Sequence, residues 1–337
     1  MEFFIKLVVF LGIFIRISDT ACSDWPSVWD GQWYDSYFHE ESSNGMITLS
    51  QSEKKVTTGW TLSLFGTTMT EFECVLSSSG VLVLRTVGSS EGFGISHYAL
   101  ICISITEKST NSYMYYRKGG TETPDGGRYT VLADTDIISS STSTYCTGTA
   151  SAEDFGVLVK DGSYGDVAIT LPNPFLGIYN YTFTSDESTY QCSGTSSMDG
   201  CTDQTVVKLN TSLCNNELLD ADNRQFHCVA YAESGSTYYI AMMHSDASAT
   251  HRSTCVTAII TDKIVTASTD PGSCKVGQTS SSRTTHSASV LITMVPYEIC
   301  CEYANTEVEL GKLSLVNISA KIEFLFKINN LTVFRSP

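Results

Sequence analysis

The sequence predicts an all-β, antiparallel protein of two modules, and three observations carry that prediction. Short stretches alternate apolar and polar residues with a period of two, as in Trp60–Leu64 and Tyr179–Phe183, which is typical of strands with one buried face. Clusters of Gly, Ser, Thr and Asn separate these stretches, as expected for the turns of antiparallel sheets. Helical periodicity is nearly absent, and we expect only a short helix around Leu218–Asp222.

The predicted strands fall into two groups along the chain. Those of the first group include Phe72–Leu76, Val81–Val87, Ile95–Thr106 and Tyr113–Arg117. Those of the second group include Phe226–Tyr231, Thr237–Met243, Val256–Thr266 and Val290–Val295. Eight of the 12 cysteines lie in the part of the chain that holds the second group, from Cys192 to Cys301, so this part is expected to form a disulfide-rich β sandwich or barrel.

Composition places the boundary between the modules within Asp134–Asp154, which is rich in Ser, Thr, Ala and Gly. The Gly-rich patch Gly119–Gly127 is the alternative boundary. We therefore expect a signal peptide over 1–21, a first module over 22–150 and a second over 151–301. The remaining residues, 302–337, contain no cysteine and are expected to form one more hairpin or a poorly ordered tail.

The N-terminus has the pattern of a cleaved secretory signal. Leu7–Ile15 is almost purely apolar, and small polar residues follow up to Ala21, which predicts cleavage directly before Cys22. The longer stretch Phe3–Ile15 is still shorter than the roughly 20 residues that a spanning helix needs, and Lys6 interrupts it. The C-terminal segment is too polar for a lipid-anchor signal. We therefore expect a secreted, extracellular protein without a membrane anchor.

The cysteine content makes the same prediction independently. The chain has 12 cysteines, an even number that allows complete pairing in an oxidising compartment. Each disulfide typically contributes about 2–4 kcal/mol to stability. The spacing does not determine which cysteines pair. The cysteines expected in disulfides are Cys22, Cys74, Cys102, Cys146, Cys192, Cys201, Cys214, Cys228, Cys255, Cys274, Cys300 and Cys301.

Four Asn-x-Ser/Thr triplets without a central proline are candidate glycosylation sites, and all lie in the second half of the chain. They are Asn180, Asn210, Asn317 and Asn330. Such a triplet accepts a glycan only where it is lumenal and exposed. Together with the signal pattern and the cysteines, the triplets predict a glycoprotein.

The charge and the histidine and cysteine spacing argue against several classes of ligand. A net charge of −16 opposes binding to nucleic acid, which needs concentrated Lys and Arg, and it favours solubility. Asp220-Ala-Asp222 lacks the glycine of a calcium-binding loop. The chain contains no Cys-x-x-Cys or His-x-x-x-His pair, which are common zinc-ligand spacings. We expect no metal and no cofactor.

The segment Trp29-Asp-Gly31-Gln-Trp33-Tyr34 resembles the Gly-x-Trp signature that opens the first strand of the lipocalins. The resemblance implies an eight-stranded barrel in which Trp33 packs across the closed base and Gly31 permits close backbone approach. About eight strands can be counted from Trp33 to Tyr129, the number that leaves room for one small ligand. The later Thr-Asp-Tyr motif of the family has no clean counterpart here. The candidate ligand-lining residues are Trp60, Phe72, Tyr98 and Tyr115.

A second resemblance covers Cys22 to about Ile260. The opening Cys22-Ser-Asp-Trp25-Pro26-Ser-Val-Trp29-Asp-Gly31-Gln-Trp33 is similar to that of uncharacterised invertebrate secreted or membrane-anchored proteins built from tandem, cysteine-spaced domains of unknown function. The module Tyr179–Cys255 has the aromatic strand and following cysteines of that group. The resemblance implies an ectodomain and no activity.

One enzyme motif can be found in the chain. Gly88-Ser-Ser90-Glu-Gly92 fits the Gly-x-Ser-x-Gly string of serine hydrolases, but that mechanism needs a helix directly after the serine. The residues that follow, Phe93–Ser96, are glycine-broken and then strand-like. We therefore interpret the string as a hairpin loop and expect the protein not to be an enzyme.

The sequence thus predicts a secreted, disulfide-bonded glycoprotein with a binding role. One hypothesis is carriage of a small apolar ligand in the first module. Another is recognition of an extracellular protein, in the matrix or at the cell surface. An unrecognised hydrolase is the third alternative.

Overall fold

The computed structural model describes residues 22–37, 45–120, 128–136, 138–185, 197–210, 225–244, 246, 249 and 251–298. Nearly all regular structure in these residues is antiparallel β, arranged as two eight-stranded barrels, which confirms the predicted all-β, two-module architecture. The expected signal peptide, the short helix around Leu218–Asp222 and the segment 302–337 lie outside the described residues.

The first barrel is an up-and-down meander with three additions. Its strands and their companions are β1 (Gly31–Asp35), β2 (Met46–Ser50), β3 (Lys55–Thr58), β4 (Leu62–Leu64), β5 (Thr67–Met69), β6 (Phe72–Ser78), β7 (Val81–Thr86), β8 (Ser90–Gly92), β9 (Ile95–Ser109), β10 (Ser112–Arg117), β11 (Tyr129–Ala133) and β12 (Gly156–Lys160). The barrel runs β1-β2-β3-β6-β7-β9-β10-β12, and β12 pairs with β1 to close it. The strands β4 and β5 form a separate hairpin, whereas β8 and β11 pair with β9 outside the ring.

The second barrel is a simple meander in which each strand pairs with the next. Its strands are β13 (Ile178–Thr184), β14 (Ser197–Asp199), β15 (Val206–Leu209), β16 (Gln225–Ser234), β17 (Thr237–His244), β18 (Ser253–Thr261), β19 (Ile264–Pro271) and β20 (Leu291–Glu298). The last strand pairs with β13 over its whole length and closes the barrel. Within the described ranges, two short 3-10 turns, Thr142–Thr144 and Asn173–Phe175, lie outside the strands.

The division between the barrels lies later than the expected boundary at residue 150. The strand β12 closes the first barrel by pairing with both β1 and β10, so the barrels divide between Lys160 and Ile178. The Ser/Thr-rich stretch before β12 is therefore a connection within the first barrel. The disulfide between Cys102 and Cys146, with Cα atoms 5.4 Å apart, fastens this stretch to β9.

The two barrels pack against each other through a shared apolar cluster. The first barrel contributes the outer faces of β1, β10 and β12, and the second contributes those of β16, β17 and β18. The largest side chains are Tyr34, Phe155, Tyr164 and Tyr239, each at most 5% exposed. A backbone bridge joins Phe155 to Cys274 across the same interface. The outward faces of these strands are thus part of the protein core.

Three described disulfides confirm that the chain carries disulfide bonds. They join Cys22 to Cys74, Cys102 to Cys146 and Cys255 to Cys274, and Cys201 is also disulfide-bonded. Four cysteines lie outside the described residues, namely Cys192, Cys214, Cys300 and Cys301. The structure corrects the expectation for Cys228, which is a free thiol. Its side chain points into the apolar interior of the second barrel.

Candidate functional site

Tryptophan and tyrosine rings pack together inside the first barrel. Trp33 is fully buried, and its ring centroid lies 6.4 Å from that of Trp29 and 6.0 Å from that of Tyr113. Trp25 packs edge-on against Trp29 at 5.1 Å. Gly31 has a φ of +83°, and a Cβ placed there would meet no atom within 4 Å. Its left-handed conformation, rather than close backbone approach, therefore requires glycine.

A buried carboxylate lies beyond this aromatic layer. Both oxygens of Asp35 are engaged: Trp60 Nε1 donates to one at 2.7 Å, and Tyr115 Oη donates to the other at 2.7 Å. The backbone N–H of Tyr37 also donates to Asp35, at 2.9 Å. The carboxyl group is fully buried, and this burial raises its pKa to about 7 despite the three donors. Desolvation of the charged form outweighs the hydrogen bonds that favour it.

A second carboxylate continues this polar network. The Tyr37 hydroxyl donates to Asp154, which also forms an ion pair with Arg128 at 2.6 Å. The Arg117 guanidinium stacks over the Tyr37 ring, 3.9 Å from its centroid. Burial raises the pKa of Asp154 to about 6. The first-barrel interior is therefore occupied by its own aromatic and hydrogen-bonded side chains.

Three of the four expected ligand-lining residues come together inside the first barrel. Trp60 and Phe72 have ring centroids 5.8 Å apart, and Tyr115 joins Trp60 through Asp35. Tyr98 is different, because it lies on the face of β9 opposite to the inward-pointing Ile101 and stacks against Arg85. The sequence thus identified interior aromatics, but not the carboxylate to which two of them are bonded.

The second barrel has an apolar interior that encloses a cavity of about 60 Å³. Its aromatic lining residues are Phe175, Tyr181, Phe183 and Phe226. Its methionine lining residues are Met198, Met242 and Met294. Small-to-medium aliphatic side chains complete the wall, and Thr254 and Thr269 contribute the hydroxyls. This cavity is the candidate functional site.

The segment before β13 closes one end of the second barrel. Leu171, Phe175 and Leu176 belong to its interior cluster. The backbone N–H of Ile169 donates to Cys228 O at 2.7 Å, and that of Leu171 donates to Gln204 O at 2.6 Å. A Cβ at Gly200 would lie 2.0 Å from Phe175 O, so only glycine allows this close approach. The long connection between β19 and β20 lies at the opposite end.

Polar atoms occur in the barrel wall at that opposite end. The rings of Phe226 and His244 lie 4.0 Å apart, and burial lowers the pKa of His244 to about 4, so its imidazole is neutral at physiological pH. Within the described residues, neither His244 Nδ1 nor Ser185 Oγ has a hydrogen-bond partner. Phe183 and Met242 line the cavity. Ser185 and His244 each lie two residues further along the same strand direction, so they occupy inward-facing positions.

The other candidate chemistries have no corresponding geometry among the described residues. Ser90 lies on β8, where its hydroxyl donates to Leu64 O at 2.7 Å, and β9 rather than a helix follows it. In the described ranges no group of three or more His, Cys, Asp and Glu side chains could hold a metal ion. The same part of the chain has no helix long and apolar enough to cross a bilayer.

Fold and site together define a disulfide-bonded protein of two joined antiparallel β-barrels, one with a packed polar and aromatic interior and one with an apolar cavity. Residues 170–290 match a domain of unknown function (DUF7042). The match covers the closing segment and the second barrel as far as β19, which agrees with the expected domain of unknown function. Neither the curated proteins nor the solved structures include a match to the chain.

Proposed function

We propose that this protein is a secreted glycoprotein with a binding role, and that it carries a small apolar molecule inside the second barrel. The observation that carries this proposal is the apolar cavity of about 60 Å³ inside the second barrel, lined by residues of all eight strands. Aromatic and methionine side chains form its wall, as is usual for sites that take small apolar ligands.

The contrast between the two interiors supports a ligand site in the second barrel rather than in the first. In the first barrel, Asp35 is bonded to Trp60 and Tyr115 across the interior, so a ligand would have to break a buried network. In the second barrel, a ligand would replace empty volume. Filling an apolar void restores dispersion contacts that its lining residues otherwise lack.

The size of the cavity limits the ligand. Typical ligand pockets have volumes of about 300–1,000 Å³, and a buried apolar cavity of about 150 Å³ is enough for benzene. A cavity of about 60 Å³ therefore needs its wall to yield to any ligand larger than a few carbon atoms. Met198, Met242 and Met294 supply that freedom, because methionine is unbranched and changes rotamer readily.

Features in both barrels support an extracellular location. The disulfides Cys22–Cys74 and Cys255–Cys274 belong to the type of bond that persists in oxidising, extracellular surroundings. The Asn180 side chain faces outward from β13 and is exposed, which a glycan acceptor requires. These observations support secretion and glycosylation together with the signal pattern at the N-terminus. No catalytic role is part of the proposal.

Binding of an uncharged apolar fluorophore, N-phenyl-1-naphthylamine, tests the proposal on the protein expressed through a secretory pathway. Val256→Phe replaces a small side chain of the cavity wall by a phenyl ring, which would fill the cavity, and should reduce fluorophore binding. Leu84→Phe makes a comparable enlargement inside the first barrel and should leave binding unchanged. Native mass spectrometry of the wild-type protein should show a co-purifying small molecule. Equal binding by both variants would place the ligand elsewhere and overturn the proposal.

A further inference from the structure

Two hairpins outside the first-barrel ring have the same unusual turn. Phe65-Gly66 joins β4 to β5, and Phe93-Gly94 joins β8 to β9. The φ angles are +46° and +81° in the first turn and +56° and +80° in the second. Two consecutive positive φ values are the signature of type I′ turns, which strongly favour Asn-Gly or Asp-Gly.

Phenylalanine is poorly suited to the first position of such a turn. A bulky residue with positive φ is a steric outlier, and strained residues of this kind concentrate at functional sites. Burial does not account for the aromatic residue, because Phe65 is 48% exposed and Phe93 is 95% exposed. The shared feature of the two turns is therefore the display of an aromatic ring at a hairpin tip.

Direct contacts join the two tips into one platform. The Phe65 and Phe93 rings meet edge to face with centroids 5.9 Å apart. The Phe65 ring also covers Gly92, where a Cβ would lie 2.7 Å from the ring. The Ser90 hydroxyl bonds to Leu64 O at 2.7 Å and to Thr67 Oγ1 at 2.9 Å. Ser90 of the Gly-x-Ser-x-Gly string thus holds the β8–β9 hairpin against the β4–β5 hairpin.

Few charged residues lie beside the two rings, and the His97 ring packs against Phe65 with centroids 5.0 Å apart. Ile95, two residues after Phe93, is 45% exposed. Strands β4 and β5 with their turn contain no charged residue, and Glu91 is the only charged residue from Ser90 to Ser96. Ser96 Oγ donates to Glu91 at 2.7 Å. The Phe65-Gly66 and Phe93-Gly94 dipeptides themselves carry no charge, so the two rings can leave water without burying one.

We propose that the paired tips, Phe65 and Phe93, dock the protein on a zwitterionic phospholipid surface by inserting into its interface. At about 200 Å² for a fully exposed phenylalanine, the exposed fractions of Phe65 (48%) and Phe93 (95%) give an apolar patch of roughly 300 Å². A stable protein–protein interface needs about 800 Å² per partner, so the patch is too small for one. A lipid surface accepts two convex tips without a matching shape. The net charge of −16 and the absence of Lys and Arg from the tips exclude attraction to anionic lipid.

The test is co-sedimentation of the full chain with phosphatidylcholine vesicles. A double variant, Phe65→Asp with Phe93→Asn, replaces both rings by residues that type I′ turns prefer, so folding should be retained or improved. Aspartate is chosen at position 65 because asparagine would create an Asn-Gly-Thr glycosylation triplet. The vesicle affinity of the double variant should fall by about tenfold or more, since two ring insertions are lost. The single variant Phe93→Trp should retain vesicle binding, because an aromatic ring remains at that tip.

A matched variant removes exposed apolar side chains elsewhere. Val276 and Tyr297 are 61% and 78% exposed, and Val276→Ser with Tyr297→Ser should leave vesicle binding unchanged. The proposal is overturned if the wild-type protein does not sediment with phosphatidylcholine vesicles, or if the double tip variant sediments equally well. Self-association of the wild-type chain that the tip variant abolishes, without vesicle binding, would assign the tips to a second copy instead. Fluorophore binding in the second barrel is measured separately, so either proposal can fail alone.

Discussion

The hydroxyl oxygens of Tyr34 and Ser253 lie 2.7 Å apart and join the two barrels in the protein core. Tyr34 is on β1 and Ser253 is on β18, and neither side chain is exposed. Burial raises the pKa of Tyr34 well above its usual range, so the phenol stays neutral and keeps its proton for hydrogen bonding. The outward face of the first strand is therefore as much a part of the core as its inward face.

Tyr34→Phe should lower the free energy of unfolding by about 1–3 kcal/mol, because it leaves the buried Ser253 hydroxyl without this partner. Urea denaturation of the wild type and the variant measures the difference. Tyr297→Phe removes the same atom from an exposed position and should have little effect. In a double-mutant cycle, Ser253→Ala should cost much less in the Tyr34→Phe background than alone. Additive effects would show that this contact contributes nothing.

Asp35 should make the protein less stable as the pH rises from about 4 to 7. Its pKa is raised by burial from 3.8 to about 7, so between these values the folded state holds a proton that the unfolded state releases. The stabilising contribution is complete below the unfolded pKa and is lost as the pH rises through about 7. A single group of this kind contributes a slope of up to about 1.4 kcal/mol per pH unit.

Urea denaturation at several pH values between about 4 and 8 tests this prediction against Asp35→Asn, which cannot ionise. The variant should be less stable than the wild type at the acidic end, because an amide cannot accept from all three donors. Its stability should fall less with pH, so that the two curves converge. Asp262→Asn, at an exposed turn position, serves for comparison. Parallel curves for wild type and Asp35→Asn would contradict the assignment.

Cys228 should be unreactive towards iodoacetamide in the folded protein. Burial raises the pKa of its thiol to about 12, and the thiolate is the reactive form. Alkylation followed by peptide mapping should find this residue unmodified under native conditions and modified after denaturation without reductant. Modification only after reduction would place Cys228 in a disulfide.

Met242→Ala should enlarge the second-barrel cavity and increase binding of bulkier apolar fluorophores. Removing a buried methionine side chain should also lower the free energy of unfolding by about 2–5 kcal/mol. Ligand should recover part of this loss, because binding to the folded state alone stabilises it. Thermal denaturation with and without fluorophore measures both effects. A variant whose midpoint is unaffected by ligand would show that the enlarged space is not a binding site.

Alternation in the sequence identified strands that have one apolar and one polar face. The alternation of Tyr179, Tyr181 and Phe183 predicts a strand, and all three lie buried on β13. Alternation does not predict β12, because Val157–Val159 is buried on both faces, one inside the first barrel and one against the second. A short, continuous apolar run is the signal of such a strand, and it would have moved the module boundary beyond this stretch.

The candidate site was less accessible to sequence reasoning. The volume of the second-barrel cavity depends on how Phe175 and the methionines pack, and residue order does not encode packing. The network around Asp35 likewise joins three strand or loop positions far apart in the chain, Asp35, Trp60 and Tyr115. Tyr98 had the right residue type, but the register of β9 turns it outward.

The closure of each barrel has a consequence for biosynthesis. In the first barrel β1 pairs with β12, and in the second barrel β13 pairs with β20. The first strand of each barrel therefore lacks one of its two neighbours until the last strand of that barrel has been synthesised. Pairing strands that are so distant in sequence is slow, and an open sheet edge can recruit another chain meanwhile. We therefore expect efficient production of the protein to depend on chaperones that shield β1 and β13 during translation.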